Sequence, residues 1–182
     1  MDMLQSFDFS VVNAIQENMK CGFFDTVMPL VSDLCSVIWA LFGLIFLFIK
    51  KHRLCGIKII AALAFAALIT EFIVKPVFMR ERPYMLNPEH VMLVSEPFGS
   101  SFPSGHTSTS FASAVQFFGI NKKSGIAALL FAVIVAFSRL YLYVHFLTDV
   151  LAGVILGTII GVLISFVTGK IWLKFSERSK KI

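Results

Sequence analysis

Apolar runs of nearly bilayer-crossing length alternate along this chain with short charged clusters. They fall at residues 30–49, 57–74, 105–120, 126–144 and 150–167. A helix rises about 1.5 Å per residue, so roughly 20 apolar residues bridge a hydrocarbon core about 30 Å thick. The first run ends at Lys50, Lys51, His52 and Arg53; the second carries Glu71 and closes on Lys75-Pro76; the fourth contains Arg139. The third is the weakest, because Thr107, Ser108, Thr109, Ser110, Ser113 and Gln116 interrupt it. Composition agrees: 57% of the residues are hydrophobic and 15% charged, and 20 Phe exceed what a core of 182 residues can hide. Lipid is the expected solvent. The expected fold class is all-α, a single membrane-embedded helical bundle over residues 1–182 with five transmembrane helices, or six.

Within that domain, residues 1–29 are expected to form an interfacial N-terminal segment, 30–168 the transmembrane core, and 169–182 a basic tail. Residues 4–19 place Leu4, Phe7, Val11, Val12 and Ile15 three or four apart, with Asp8, Asn13 and Gln16 between them. That spacing predicts a helix lying in the membrane interface. Residues 84–102 hold Pro88, Pro97 and Gly99 and are expected to form a loop outside the membrane. Met1–Ser10 carries two Asp and no basic residue ahead of an apolar stretch, so no signal peptide is expected. Cys21, Cys35 and Cys55 have neither metal-ligand spacing nor an even count, and are expected to be small apolar fillers.

Charge sets orientation. Five spans bring 11 of the 16 Lys and Arg to one side, in the Lys50–Lys58 turn, the Lys122-Lys123 turn and the tail from Lys170. Basic residues favour the cytoplasmic side, so the tail is expected in the cytoplasm and the 75–104 segment outside, in a cell (plasma) membrane. A net charge of +5 does not imply nucleic acid, because the basic residues gather at the ends of apolar runs. Gly153, Gly157 and Gly161 recur every four residues in the last run, a spacing that lets a neighbouring helix approach closely.

Three polar clusters stand at the outer ends of these runs: Lys75 through Arg82-Pro83, then Pro103-Ser104-Gly105-His106, then Ser138-Arg139 with His145 and Asp149. Charge is costly at such places and usually functional. Together they suit an oxyanion. Lys75, Arg82 and Arg139 supply fixed positive charge, and the Ser104-Gly105 pair falls where a helix begins and free N–H groups point outward. His145 and Asp149 are one helical turn apart, so the carboxylate can orient the imidazole and leave its other nitrogen to attack phosphorus. His106 can protonate the leaving oxygen. The outer loop holds Glu81, Glu89 and Glu96 but no compact carboxylate cluster for magnesium, so no metal or other cofactor is expected. Glu71, one turn before Lys75, can pair with it, while Arg80 and Glu81 are expected to face water or head groups.

These spacings resemble the type 2 phosphatidic acid phosphatase superfamily, whose pattern is K-x6-RP, PSGH and SR-x5-H-x3-D. All 11 fixed positions match in order, within about residues 54–168. The resemblance implies a metal-independent lipid phosphatase with His145 as the nucleophile that becomes phosphohistidine, Asp149 its partner and His106 the general acid. It implies phosphate binding by Lys75, Arg82, Ser104, Gly105 and Arg139. The implied partner is a membrane lipid, foremost undecaprenyl diphosphate, with phosphatidic acid or phosphatidylglycerol phosphate as the alternative. Vanadate-dependent haloperoxidases share the motif but are soluble and larger. A non-catalytic lipid-binding or transport protein is a distant alternative, since related chains with that role typically lose a histidine that this one keeps.

Overall fold

The computed structural model describes residues 3–179; Asp2, Lys180 and Lys181 of the sequence reading lie outside the described residues. Every regular element among them is helical. The order is α1 (Met3–Met19), α2 (Gly22–Phe48), α3 (Arg53–Leu68), a π-helical stretch Ile69–Val74, α4 (Lys75–Phe78), α5 (Pro83–Leu86), α6 (Gly105–Gln116), α7 (Lys122–Tyr141) and α8 (Leu147–Ser179). Four helical stretches are long and apolar enough to cross a membrane: Gly22–Phe48, Lys50–Leu86, Lys122–Tyr141 and Leu147–Trp172. The third apolar run forms α6, which is shorter, and its hydroxyl and amide side chains lower its hydropathy.

Pro76 has no N–H to offer the carbonyl four residues back, and the helix ahead of it widens into the π turn. It restarts at Lys75 and stops at Met79, whose φ of 41° is left-handed and ends the helical run. The 84–102 segment is irregular past α5, as its Pro and Gly content predicts, and Phe98 at its edge is fully exposed.

α6 is the centre of the bundle, packed on α8, α3 and α7. A Cβ added at Gly153, Gly157 or Gly161 would stand 2.8, 2.2 or 2.8 Å from the carbonyl oxygens of Ser104, Ser108 and Ala112. The glycine repeat therefore serves packing within the chain, letting two backbones approach with no side chain between them. Most of the buried apolar side chains form one cluster that includes Trp39, Ile59, Phe111, Phe117 and Phe146. The outer faces of α2, α7 and α8 leave Leu34, Leu41, Leu130, Ile155 and Phe166 half exposed, as helices bathed in lipid should. Cys35 and Cys55 are buried thiols, whereas Cys21 is exposed between α1 and α2.

α1 has two faces. Met3, Leu4 and Phe7 point outward, while Asp8 and Val12 are buried against the protein. Asp8, Asn13 and Gln16 thus bond to the bundle, while Ser10 and Glu17 stay exposed.

Candidate active site

The start of α6, the end of α7, the start of α8 and the π–α4 corner all lie at one end of the bundle. The turn Leu142–Phe146 between α7 and α8 carries His145, which is 2% exposed. Tyr143 in this turn takes a left-handed φ of 59°, and its hydroxyl donates to Asn13 Oδ1 at 2.6 Å while Asn87 Nδ2 reaches it at 3.3 Å. A tight turn with a bulky residue at positive φ needs such anchors to persist.

Arg82 is buried and spans the site. Its Nη1 donates to the Val144 carbonyl at 3.0 Å and lies 3.4 Å from His145 Nε2. Its other nitrogens donate to the carbonyls of Gly99 (3.1 Å), Phe98 (3.3 Å) and Ser100 (3.2 Å), tying the loop to the turn. Arg139 is buried at the end of α7; its Nη1 donates to Ser32 Oγ, and its Nε has no partner among the described residues. Lys75 Nζ pairs with Glu71 Oε1 at 2.6 Å, the pairing the one-turn spacing predicted. That same oxygen is 2.9 Å from where a Gly105 Cβ would stand, so Glu71 and Lys75 sit over the first turn of α6. His145 lies between two spans, and its burial, with Arg139, Arg82 and Lys75 around it, holds its imidazole well below the ordinary histidine value. That environment favours the uncharged ring, which has a lone pair available.

α6 begins at Gly105 with Ser104 before it, and the Ser104 side chain does not cap the helix. It accepts instead from Thr107 Oγ1 at 2.9 Å. The Ser104 N–H donates to the Asp149 carbonyl at 3.0 Å, locking the starts of α6 and α8 together. The first intrahelical bond is Ser108 N–H to Ser104 O at 3.0 Å, which leaves the N–H groups of the first turn directed out of the helix end. His106 stands in that turn, half-buried.

Asp149 is fully buried. Its Oδ2 accepts from the Phe146 N–H at 2.8 Å and lies 3.6 Å from His145 Nδ1. The pair predicted from sequence is thus adjacent, and just beyond hydrogen-bond length. The cause is visible in the other bonds: the carboxylate is drawn to the Phe146 amide and, through Oδ1, to Arg80 Nη1 at 2.5 Å. Arg80 therefore corrects the sequence reading. Its guanidinium is not free toward water; it bridges Asp149 and Asp8, with Nη2 2.7 Å from Asp8 Oδ2. Glu81 is exposed, as expected.

All eight residues singled out from the sequence belong to this end of the molecule. The sequence reading did not place Arg80, Asp8, Ser32 or Thr148 at this end. The available signal was a carboxylate at position 8 among apolar neighbours, which lipid or a dry interface tolerates only when paired. Beside these groups a cleft of about 890 Å³ opens between Glu71, Phe72, Lys75 and Arg80 on one wall and Tyr84, Met85, Pro97 and Phe98 on the other.

A buried imidazole, two buried guanidiniums, a lysine and an open helix end thus gather at one end of the bundle, beside a cleft that Lys75 lines. Comparison with known proteins gives the class. Residues 56–173 match the PAP2 superfamily, and the chain belongs to it. Its members are lipid phosphatases, and this chain is a membrane phosphatase of that kind. It is 27% identical over 154 residues to the undecaprenyl-diphosphatase BcrC of Bacillus subtilis, covering 84% of this chain and 75% of the relative. It is 32% identical over 118 residues to an undecaprenyl-diphosphatase of Sulfolobus acidocaldarius, covering 64% of this chain and 56% of the relative. Its structure resembles a transmembrane PAP2-type phosphatidylglycerolphosphate phosphatase of Bacillus subtilis, with a TM-score of 0.78 and 26% identity, covering 94% of this chain and 89% of the other.

Proposed function

We propose that this phosphatase hydrolyses a lipid diphosphate, foremost undecaprenyl diphosphate, to the lipid monophosphate through a phosphohistidine on His145. The observation that carries the chemistry is the two-sided setting of His145: Nδ1 faces Asp149 at 3.6 Å and Nε2 faces Arg82 at 3.4 Å. A phosphoryl group held by Lys75, Arg82, Arg139 and the Ser104-Gly105 end of α6 stands in front of Nε2. Nε2 forms the bond to the terminal phosphorus, the bridging P–O bond breaks, and His106, protonated as the substrate's negative charge enters beside it, gives that proton to the departing oxygen. Asp149 stabilises the positive charge that develops on the ring. Water then attacks the phosphohistidine, His106 takes its proton, and inorganic phosphate leaves.

No metal ion is required, because the cationic side chains and the helix end supply the charge that the transition state demands. Among the described residues no three His, Cys, Asp or Glu side chains gather as a metal site. Two relatives named as undecaprenyl-diphosphatases support the choice of diphosphate, as does leaving-group chemistry, since a monophosphate departs more easily than an alkoxide. Phosphatidylglycerol phosphate, with phosphatidic acid, is the second reading, favoured by the named activity of the structural relative. The site end faces outward and the C-terminal end of α8 the cytoplasm, on the 11-to-5 division of Lys and Arg along the sequence.

The deciding measurement is phosphate release from these three lipids and glucose 6-phosphate in mixed micelles, with EDTA and with vanadate. Undecaprenyl diphosphate should give the highest kcat/KM, EDTA should leave it unchanged, and vanadate should block it. Restoration only by magnesium would overturn the metal-free mechanism; a tenfold preference for phosphatidic acid would overturn the substrate. An impermeant thiol reagent applied to intact cells should reach a single cysteine at Asn87 and spare one at Ser179, and the reverse would overturn the orientation.

A further inference from the structure

α1 begins far upstream of the family match, which starts at residue 56, and yet it grips the turn that carries His145. Asp8 is fully buried. Its Oδ1 accepts from the Thr148 N–H at 3.0 Å, and its Oδ2 from the Thr148 hydroxyl at 2.5 Å and from Arg80 at 2.7 Å. Asp8 thereby caps the first turn of α8 from another helix. Arg80 Nη1 in turn donates to Thr148 Oγ1 at 2.7 Å and to Asp149 Oδ1 at 2.5 Å, with its guanidinium 4.4 Å from the centre of the Phe146 ring. Two further α1 side chains hold the His145 turn and the end of α7 before it: Asn13 through the Tyr143 hydroxyl, and Gln16 Nε2 through the Tyr141 carbonyl at 2.5 Å.

We propose that Asp8 and Arg80 are positioning residues for the reaction, α1 fixing the Arg80 guanidinium and Arg80 fixing the Asp149 carboxylate beside His145. This rests on the reading of Asp149 as the partner of His145. One guanidinium stands between two buried carboxylates, an arrangement that its planar fork can satisfy and a single ammonium cannot. Either carboxylate without Arg80 would be a buried, uncompensated charge. With Asp149 Oδ2 3.6 Å from His145 Nδ1, a shift of a few tenths of an ångström decides whether the ring is held, so the anchor of that carboxylate acts directly on the rate. Arg80 also lines the cleft, and its side chain is 24% exposed. The rival assignment is thus direct contact with substrate phosphate, and kinetics separate the two.

The test uses the full chain in detergent, with undecaprenyl diphosphate and phosphatidic acid each presented in mixed micelles and phosphate followed by radiolabel. Asp8→Asn should lower kcat about tenfold and Arg80→Gln on the order of a hundredfold, with KM within about twofold of wild type. Arg80→Lys, which keeps the charge, should recover part of the loss and guards against misfolding of the glutamine variant. In an Asp149→Asn background neither substitution should lower kcat further, because both act through that carboxylate. Wild-type kcat in Asp8→Asn, a tenfold rise in KM with kcat intact in Arg80→Gln, or full additivity with Asp149→Asn would each overturn the proposal. Near wild-type turnover by Asp149→Asn alone would instead remove the reading on which it rests; impaired Asp149→Asn beside unimpaired Asp8→Asn and Arg80→Gln would sink only the positioning role.

Discussion

α6 and α8 run side by side with opposite compositions. α6 holds Thr107, Ser108, Thr109, Ser110, Ser113 and Gln116 and buries every one; α8 carries Leu151, Ile155, Ile159, Val162, Leu163 and Phe166 and leaves each about half exposed. In water the more apolar helix would be the buried one. In lipid the apolar face needs no shelter, whereas a hydroxyl or amide is costly against hydrocarbon and is kept inside the protein. Thr109 Oγ1 donates to the Gly105 carbonyl at 3.0 Å, Gln116 Nε2 to the Gly161 carbonyl at 2.8 Å, and Trp39 Nε1 to Ser110 Oγ at 3.0 Å. The proposed site lies where the polar helix begins, and the glycines along the seam let the two helices approach closely there.

Substitutions along this seam should separate chemistry from packing. The largest effect is expected from His145→Ala, with phosphate release falling below detection while the melting temperature in detergent stays within a few degrees of wild type. Near wild-type release by the purified variant would remove the nucleophile assignment. Asp149→Asn should follow, with kcat reduced by on the order of a hundredfold or more through loss of ring orientation. Gly157→Val works differently. Its Cβ meets the Ser108 carbonyl at 2.2 Å, so the helices must part, at about 3 kcal/mol or more. Activity should then fall in step with the folded fraction measured by thermal unfolding, and a normal melting temperature would show that the seam is not tight. Gln116→Leu removes bonds to the Ala112 and Gly161 carbonyls and should cost about 1 kcal/mol of stability with kcat nearly unchanged. Ile155→Ala, on the lipid face, should change stability by less than about 0.5 kcal/mol; a core-sized loss would mean that this face packs on protein.

Much of this was legible in the chain. The run lengths predicted a membrane bundle, the glycine repeat predicted a close helix pair, and the Glu71–Lys75 spacing predicted an ion pair that forms. The motif residues converge as their types suggested, because charges among apolar segments have few places to go except toward one another. The placement of α1 was less accessible. Its spacing of Leu4, Phe7, Val11 and Ile15 describes an amphipathic helix whichever way its polar residues point, and a periodicity does not say what lies opposite. Arg80 was misread for a related reason. Two residues from Arg82 in an irregular stretch, it lacks a helical register that would tie its direction to that of its neighbour.

The sequence by itself determined that this protein lives in lipid, is helical and carries the motifs of a phosphatase family, since those properties depend on local composition and on spacings within one turn or one motif. Only the tertiary structure decided that Asp8 meets Arg80 and Thr148 across 72 and 140 residues of chain, and that Asp149 answers to Arg80 as well as to His145. Contacts that distant come from how helices pack, and packing is settled by all the surfaces at once rather than by any one stretch of residues.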